Sequence, residues 1–211
     1  MGGIMKLVVV AVLGLGVFGV WKFVAAPADP QGGNAALDIT EKDWVKGKSD
    51  APVTLIEYTD FQCPACAAYY PILNQLSEEM GDRVRIVIRH YPLMQIHKNA
   101  LPSARAAEAA GRQGKFWEMY DFLFMNQVEW SNAEDPMKSI FPAYAGRAGM
   151  DVDRFRSDME DATLDDKINS DRETGNAMQI TGTPSFFLNG EKLKNPSSIE
   201  EFKKAIERVA P

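Results

Sequence analysis

Cysteine is scarce in this chain: two among 211 residues, with only two histidines beside them. Two thiols so close together cannot tie distant elements, which excludes a disulfide-stapled scaffold. The spacing from Cys66 to His90 and His97 fits no finger or ribbon pattern, so no metal site is expected. Basic charge is short as well. Lys and Arg total 23 against 29 Asp and Glu, a formal net charge of −6, and no basic run interrupts that balance. A nucleic-acid partner, which needs a basic face, is therefore not expected. There are no internal repeats, and the length suits one domain with an ample core plus an appendage.

What is present is concentrated in Phe61-Gln62-Cys63-Pro64-Ala65-Cys66. The preceding run, Pro52 to Thr59, is apolar and β-branched and reads as a buried strand; the following one, Ala67 to Leu76, reads as a helix. A strand, a turn carrying C-x-x-C and a helix is the layout of a thioredoxin-like redox site. A thiolate on Cys63 meets unpaired backbone N–H groups and the positive end of the helix dipole. Such a position lowers a cysteine pKa, and the thiolate is the attacking species. Cys66, one helical turn on, is placed to resolve a mixed disulfide. A merely structural bridge is disfavoured, since C-x-x-C closes too small a loop to stabilise much through chain entropy.

Upstream, Met1 and Lys6 precede an uncharged run from Leu7 to Trp21, then Lys22 and Phe23 to Ala26. The run is long for a signal-peptide core and short of the ~20 residues of a membrane span. With Lys22 snorkelling, residues 7–26 span and Trp21 anchors at the interface. Alternatively, Ala26-Pro27-Ala28 is a cleavage site and the segment is removed. Trp21 and Lys22 interrupt the cleavage region, which favours the uncleaved anchor. Either reading places the remainder outside the cytoplasm, in the periplasm or on the outer face of the cell membrane. Residues 27–36, rich in Pro, Gly and Ala, read as a linker. The domain then runs over 37–211, opening with a lead-in that packs Trp44 on its edge.

Arg83 to His90 alternates and is β-branched, so it forms a second strand, parallel to the first through a βαβ crossover. From about 97 to 179 the pattern is helical: Ser103–Ala110, Lys115–Phe124, Met137–Ala148, Asp153–Leu164 and Asp165–Met178. The aromatics of Phe116 to Phe124 sit at helical spacing and belong to the core rather than to a groove. Strand character returns at Pro184 to Leu188, turns at Asn189-Gly190 by a type I′ hairpin, and comes back over Glu191–Leu193. Ser198-Ile199-Glu200-Glu201 is a capping box that opens a final amphipathic helix. The fold class is α/β, with a helical insertion between βαβ and ββα halves.

Over about residues 40–210, this order resembles the DsbA-type branch of the thioredoxin superfamily. The motifs that carry the likeness are Cys63-Pro64-Ala65-Cys66, Thr181-Gly182-Thr183-Pro184-Ser185-Phe186, and Glu57 on the strand before the site. His90-Tyr91-Pro92-Leu93 and Gly114-Lys115-Phe116-Trp117-Glu118 also resemble membrane-anchored members. The resemblance implies a cis bond before Pro184, beside the cysteines, with the Thr183 backbone free to pair with an extended substrate segment. From the residues alone, Pro184 reads equally as the start of an edge strand. Glu57 is either an exposed strand position or a buried acid that takes the Cys66 proton through water, and the second is favoured. His90 and His97 are assigned structural or surface positions. Pro64 and Ala65 supply no histidine between the cysteines, unlike many strongly oxidising relatives, so a less extreme thiolate is expected.

The expected activity is thiol-disulfide exchange that introduces disulfides into secreted proteins. The Cys63–Cys66 disulfide is the redox centre, and no other cofactor is needed. The resemblance implies reduced or unfolded secreted proteins as substrates, a quinone-linked membrane oxidase as electron acceptor, and action as a monomer. The competing readings are a reductase or isomerase of the same fold, and a redox-inert binding module or metal chaperone. Residues 27–52 are too short to supply the dimerisation domain that isomerases of this superfamily use.

Overall fold

A computed structural model describes residues 35–210; the apolar segment 7–26 and residues 27–34 of the expected linker lie outside the described residues. Among the described residues, five strands form one sheet in the order β1-β3-β2-β4-β5. These are β1 (Trp44–Lys46), β2 (Val53–Thr59), β3 (Val84–His90), β4 (Ser185–Leu188) and β5 (Glu191–Leu193). β2 and β3 run parallel, and every other pairing is antiparallel. Helix α1 (Pro64–Met80) makes the crossover between them. Six helices separate β3 from β4: α2 (Ala100–Gly111), α3 (Phe116–Met125), α4 (Gln127–Trp130), α5 (Ile140–Arg147), α6 (Val152–Glu160) and α7 (Leu164–Ala177). Helix α8 (Ile199–Val209) closes the chain. The architecture is the α/β arrangement expected, insertion included.

β2 and β3 lie at the centre of the sheet and are buried on both faces, which explains their near-continuous apolar runs. One face, through Val53, Leu55, Ile86 and Ile88, shares a core with Leu73 and Leu76 of α1, Phe202 and Ile206 of α8, and Phe116, Leu123 and Phe141 of the insertion. The insertion is therefore fused to the sheet by one apolar core. The opposite face carries a smaller cluster of Ile56, Tyr58, Val87 and Phe187, with Leu37 and Ile180. Phe116, Tyr120 and Phe124 point inward, as their spacing predicts.

Local chemistry explains most boundaries. Pro64 stands at the first position of α1, where its missing N–H costs nothing. Pro71 sits inside the same helix without ending it. Asp151 caps α6 by accepting from the N–H groups of Asp153 and Arg154, and Ser198 caps α8 by accepting from Glu201 N–H. Asn189 and Gly190 both have positive φ, at 47° and 89°, as a type I′ turn requires.

Three elements depart from the sequence reading, the short helix α4 being one, since no helix is expected between 124 and 137. The lead-in contains a strand, β1, with Trp44 opposite Ile88. Three residues give no period to detect. Residues 35–37, two of them assigned to the linker, form a 3₁₀ turn whose Ala36 carbonyl accepts from buried Arg89.

Trp44 lies flat on Phe116, with ring centroids 4.2 Å apart and planes at 7°, and Gly111 leaves room for its six-membered ring. A methyl at Gly111 would collide with that ring, 2.3 Å from Trp44 Cζ2 and 2.5 Å from Cη2. Gly111→Ala should therefore lower the thermal midpoint although alanine favours helices, costing roughly 1–3 kcal/mol by overpacking. An unchanged midpoint would show that Trp44 shifts freely.

Candidate active site

The end of β2 delivers the chain into a turn that side chains hold from several directions. Cys63 N–H donates to the Asp60 carbonyl at 3.0 Å. The buried Asp60 carboxylate accepts from Gln62 N–H at 2.8 Å and Leu93 N–H at 3.0 Å, and lies 2.7 Å from His97 Nδ1. Gln62 donates to the Ser131 carbonyl and accepts from Asn99 N–H, both at 2.7 Å. Gln127 donates to the carbonyls of Phe61 and Cys63, at 2.7 and 3.0 Å. The insertion thus grips the C-x-x-C turn from behind. Asp60, Gln62, Asn99 and Gln127 were not singled out from sequence, where nothing marks them.

Cys63 is the N-cap of α1, with extended backbone, and Cys66 lies in its first turn. Both are free thiols. Cys63 retains 7 % exposure and Cys66 1 %, while Pro64 and Ala65 between them are exposed. The Cys63 thiol donates to the Thr183 carbonyl at 3.4 Å. The Thr183–Pro184 bond is cis. Pro184 is buried, and its carbonyl accepts from Asn195 at 2.9 Å. The structure therefore brings Cys63, Cys66, Thr183 and Pro184 to one place at the tip of α1.

Electrostatics separate the two sulfurs. The Cys66 thiol, donating to a Cys63 thiolate, holds Cys63 down to about 5. Burial opposes this, while backbone N–H groups of the first helical turn and the Thr183 side chain assist. Burial pushes Cys66 well above the ordinary thiol range. The thiolate is favoured even without a histidine between the cysteines, because the helix tip and its own partner supply the donors.

Glu57 lies on β2 with 1 % exposure, which rules out an exposed strand position. Burial pushes its carboxyl up to about 8. Its charge also acts on Cys66, which places the two groups within electrostatic reach. His90 is enclosed, its Nε2 2.7 Å from Glu108 Oε1. Among the described residues, no group of three His, Cys, Asp or Glu is arranged to hold a metal ion.

Chemically, this is one acidic, partly accessible thiol, one shielded thiol behind it, a buried acid within electrostatic reach of the second, and a backbone carbonyl in contact with the first. Such a set can exchange a disulfide with another dithiol.

A family model for thioredoxin matches residues 39–208. Among solved structures, BdbD from Bacillus subtilis in its oxidised form superposes with a TM-score of 0.70 at 23 % identity, over 80 % of this chain and 92 % of that one. The alpha-DsbA1 of Wolbachia pipientis gives 0.72 at 21 % identity, over 82 % and 93 %. A curated sequence relative, the Na(+)/H(+) antiporter NhaA 1 of Mycolicibacterium gilvum, is 34 % identical over 92 % of this chain. The chain spans about a third of that protein's length (31 %). With the C-x-x-C turn at the head of α1 and the sheet order around it, the chain belongs to the thioredoxin family and has the DsbA-type fold.

Proposed function

We propose that the protein is a thiol-disulfide oxidoreductase that donates its Cys63–Cys66 disulfide to proteins outside the cytoplasm. The observation that carries this reading is the unlike placement of the two sulfurs: Cys63 stands at the N-cap of α1 with 7 % exposure, against the Thr183 carbonyl, while Cys66 lies in the first turn with 1 %. A substrate thiolate attacks Cys63 Sγ, the S–S bond breaks, and Cys66 leaves with the electron pair and takes up a proton. The substrate segment is held along the backbone at Thr183, beside Pro184. A second substrate thiolate then attacks the substrate sulfur of the mixed disulfide. Cys63 departs as a thiolate, two electrons have passed to the protein, and the substrate holds a new disulfide.

Stabilising the Cys63 thiolate favours the reduced form and so makes the disulfide the oxidant. Because the protein must be reoxidised, a membrane oxidase linked to quinone is the proposed acceptor, and residues 7–26 the proposed tether or export signal. The antiporter activity named for the relative is not part of this reading. The match covers a minor part of that protein, and among the described residues no helix is long and apolar enough to cross a membrane.

The test is equilibration with glutathione, together with oxidative refolding of a reduced model protein. The expected reduction potential lies between thioredoxin's, about −270 mV, and the strongest oxidants', about −120 mV, with stoichiometric oxidation of the model protein. A potential at or below thioredoxin's would make the protein a reductase, and failure to exchange at all would favour a binding module.

A further inference from the structure

The two arms of the site are joined by one aromatic residue that belongs to neither. Tyr91 follows β3, and its main-chain N–H donates to the Thr59 carbonyl at 2.7 Å. Thr59 precedes Asp60, whose carbonyl receives Cys63 N–H, so this bond steadies the arm that carries the cysteines. The Tyr91 hydroxyl reaches the other way. It donates to the Ile180 carbonyl at 3.0 Å, three residues before Thr183, and lies 2.7 Å from Asn176 Oδ1. Among the described residues, the Ile180 carbonyl has no other donor.

The ring between these two bonds is packed in place. It meets the Tyr58 ring edge-on, with centroids 6.3 Å apart and planes at 88°. Gly175 of α7 leaves the space that the ring occupies, because a methyl there would stand 2.7 Å from Tyr91 Cδ2. Pro92, the next residue, keeps Tyr91 out of the helical backbone region.

Beyond Ile180 the chain is sparsely held. The main-chain N–H groups of Thr181, Gly182 and Thr183 donate to nothing among the described residues. The holding points are the Gly182 carbonyl, which accepts from Ser185 Oγ at 2.8 Å, and the Pro184 carbonyl, which accepts from Asn195 at 2.9 Å. Thr181 is exposed, and a side chain at Gly182 would meet open space. A stretch of unpaired main-chain donors on an accessible face is a template for an extended polypeptide. Its use depends on its distance from the reacting sulfur, and small misplacements of a bound group cost rate steeply.

We propose, resting on the exchange chemistry above, that Tyr91 sets the spacing between Cys63 and the Thr181–Thr183 segment and so favours extended polypeptide thiols over small ones. Its hydroxyl fixes the entrance of the segment, as Asn195 fixes the exit. Tyr91 acts through that segment and carries no proton or electron of the exchange, so it is a positioning residue. The contact with Asn176 is secondary, because that side chain is exposed while the Ile180 carbonyl is part of the chain being placed.

The test compares two reductants of the oxidised full chain: an extended dithiol peptide, and dithiothreitol, which has no main chain to pair. Tyr91→Phe keeps the ring and removes the bond to Ile180. KM for the peptide should rise roughly three- to tenfold, the scale of one net hydrogen bond, with kcat little changed. Reduction by dithiothreitol should suffer much less, so the ratio of kcat/KM for peptide over dithiothreitol should fall by a similar factor. Gly175→Ala, which drives a methyl into the ring, should reproduce this pattern, and adding Tyr91→Phe to it should cost little more. Asn176→Ala should leave the ratio where it is. An unchanged ratio in Tyr91→Phe, or equal losses with both reductants, would overturn the assignment, since the hydroxyl would then serve stability alone. A full effect from Asn176→Ala would overturn it too, and in each of these cases peptide oxidation by the wild type leaves the oxidoreductase reading standing. A wild type that oxidises no peptide would overturn both.

Discussion

Cys63→Ser should reduce disulfide exchange to background, whereas Cys66→Ser should keep a reactive Cys63 that cannot let go of its partner. The difference follows from which sulfur is ionised. With Cys63 held down to about 5, nearly all of it is thiolate at pH 7. A thiol of ordinary pKa is thiolate to only a few per cent there. A serine hydroxyl at position 63 provides neither the anion nor the S–S bond. In Cys66→Ser, challenge with oxidised glutathione should produce a persistent adduct on Cys63, visible as a mass increase reversed by dithiothreitol. The hydroxyl at 66 can still donate to the Cys63 thiolate, replacing the largest of the contacts that stabilise it. Cys66→Ala cannot. Hydrogen bonds to charged groups contribute about 1.5–3 kcal/mol, so Cys63 should titrate roughly 1–2 units higher in Cys66→Ala than in Cys66→Ser. Thiolate absorbance against pH reads this directly. Identical titrations would show that the neighbouring sulfur is not the donor.

How far this site could be read from sequence varies with the kind of signal. The C-x-x-C turn, β2 and β3 were legible because β-branched runs bracket a helix start marked by proline. The hairpin β4–β5 was legible from Asn189-Gly190, and α8 from the Ser198 cap. The cis bond at Pro184 came from family resemblance alone, since proline before a strand fits two local conformations. Burial of Glu57 was ambiguous for a physical reason: a central strand covered on both faces shows no polar alternation to mark its exposed side. The supports of the turn were invisible. Gln62 and Ser131 stand 69 positions apart, and Gln127 and Phe61 66. Only the folded insertion brings them together, and no local propensity encodes such a bond.

Glu57→Gln should make the protein more stable and less active at once, and the pairing of those signs identifies the residue's role. Burial raises the folded-state value from 4.5 to about 8. Between those values the unfolded chain has lost the proton that the folded chain keeps, so stability falls as pH rises through this window. At pH 7 the cost is on the order of 3 kcal/mol, and it vanishes below about pH 4.5. Cys63 works in the opposite direction in the dithiol form, because its folded value is depressed from 9.0 to about 5. Its contribution is complete above about 9 and lost as pH falls through about 5. The disulfide form has no titrating thiol, so there Cys63 does not offset the Glu57 slope. Burial, the leading cause of the Glu57 shift, is present in both forms. Denaturant unfolding of the oxidised protein should therefore show the stability of the wild type falling below that of Glu57→Gln progressively from pH 5 to 8, with the two meeting near pH 4.5. Meanwhile reoxidation of the dithiol should slow about 100-fold, the effect of removing a positioned proton acceptor. A variant that loses stability at pH 8, or that turns over at the wild-type rate, would return Glu57 to the status of an isolated buried acid. Stability gained where turnover is lost is the signature of a group kept strained for its chemistry.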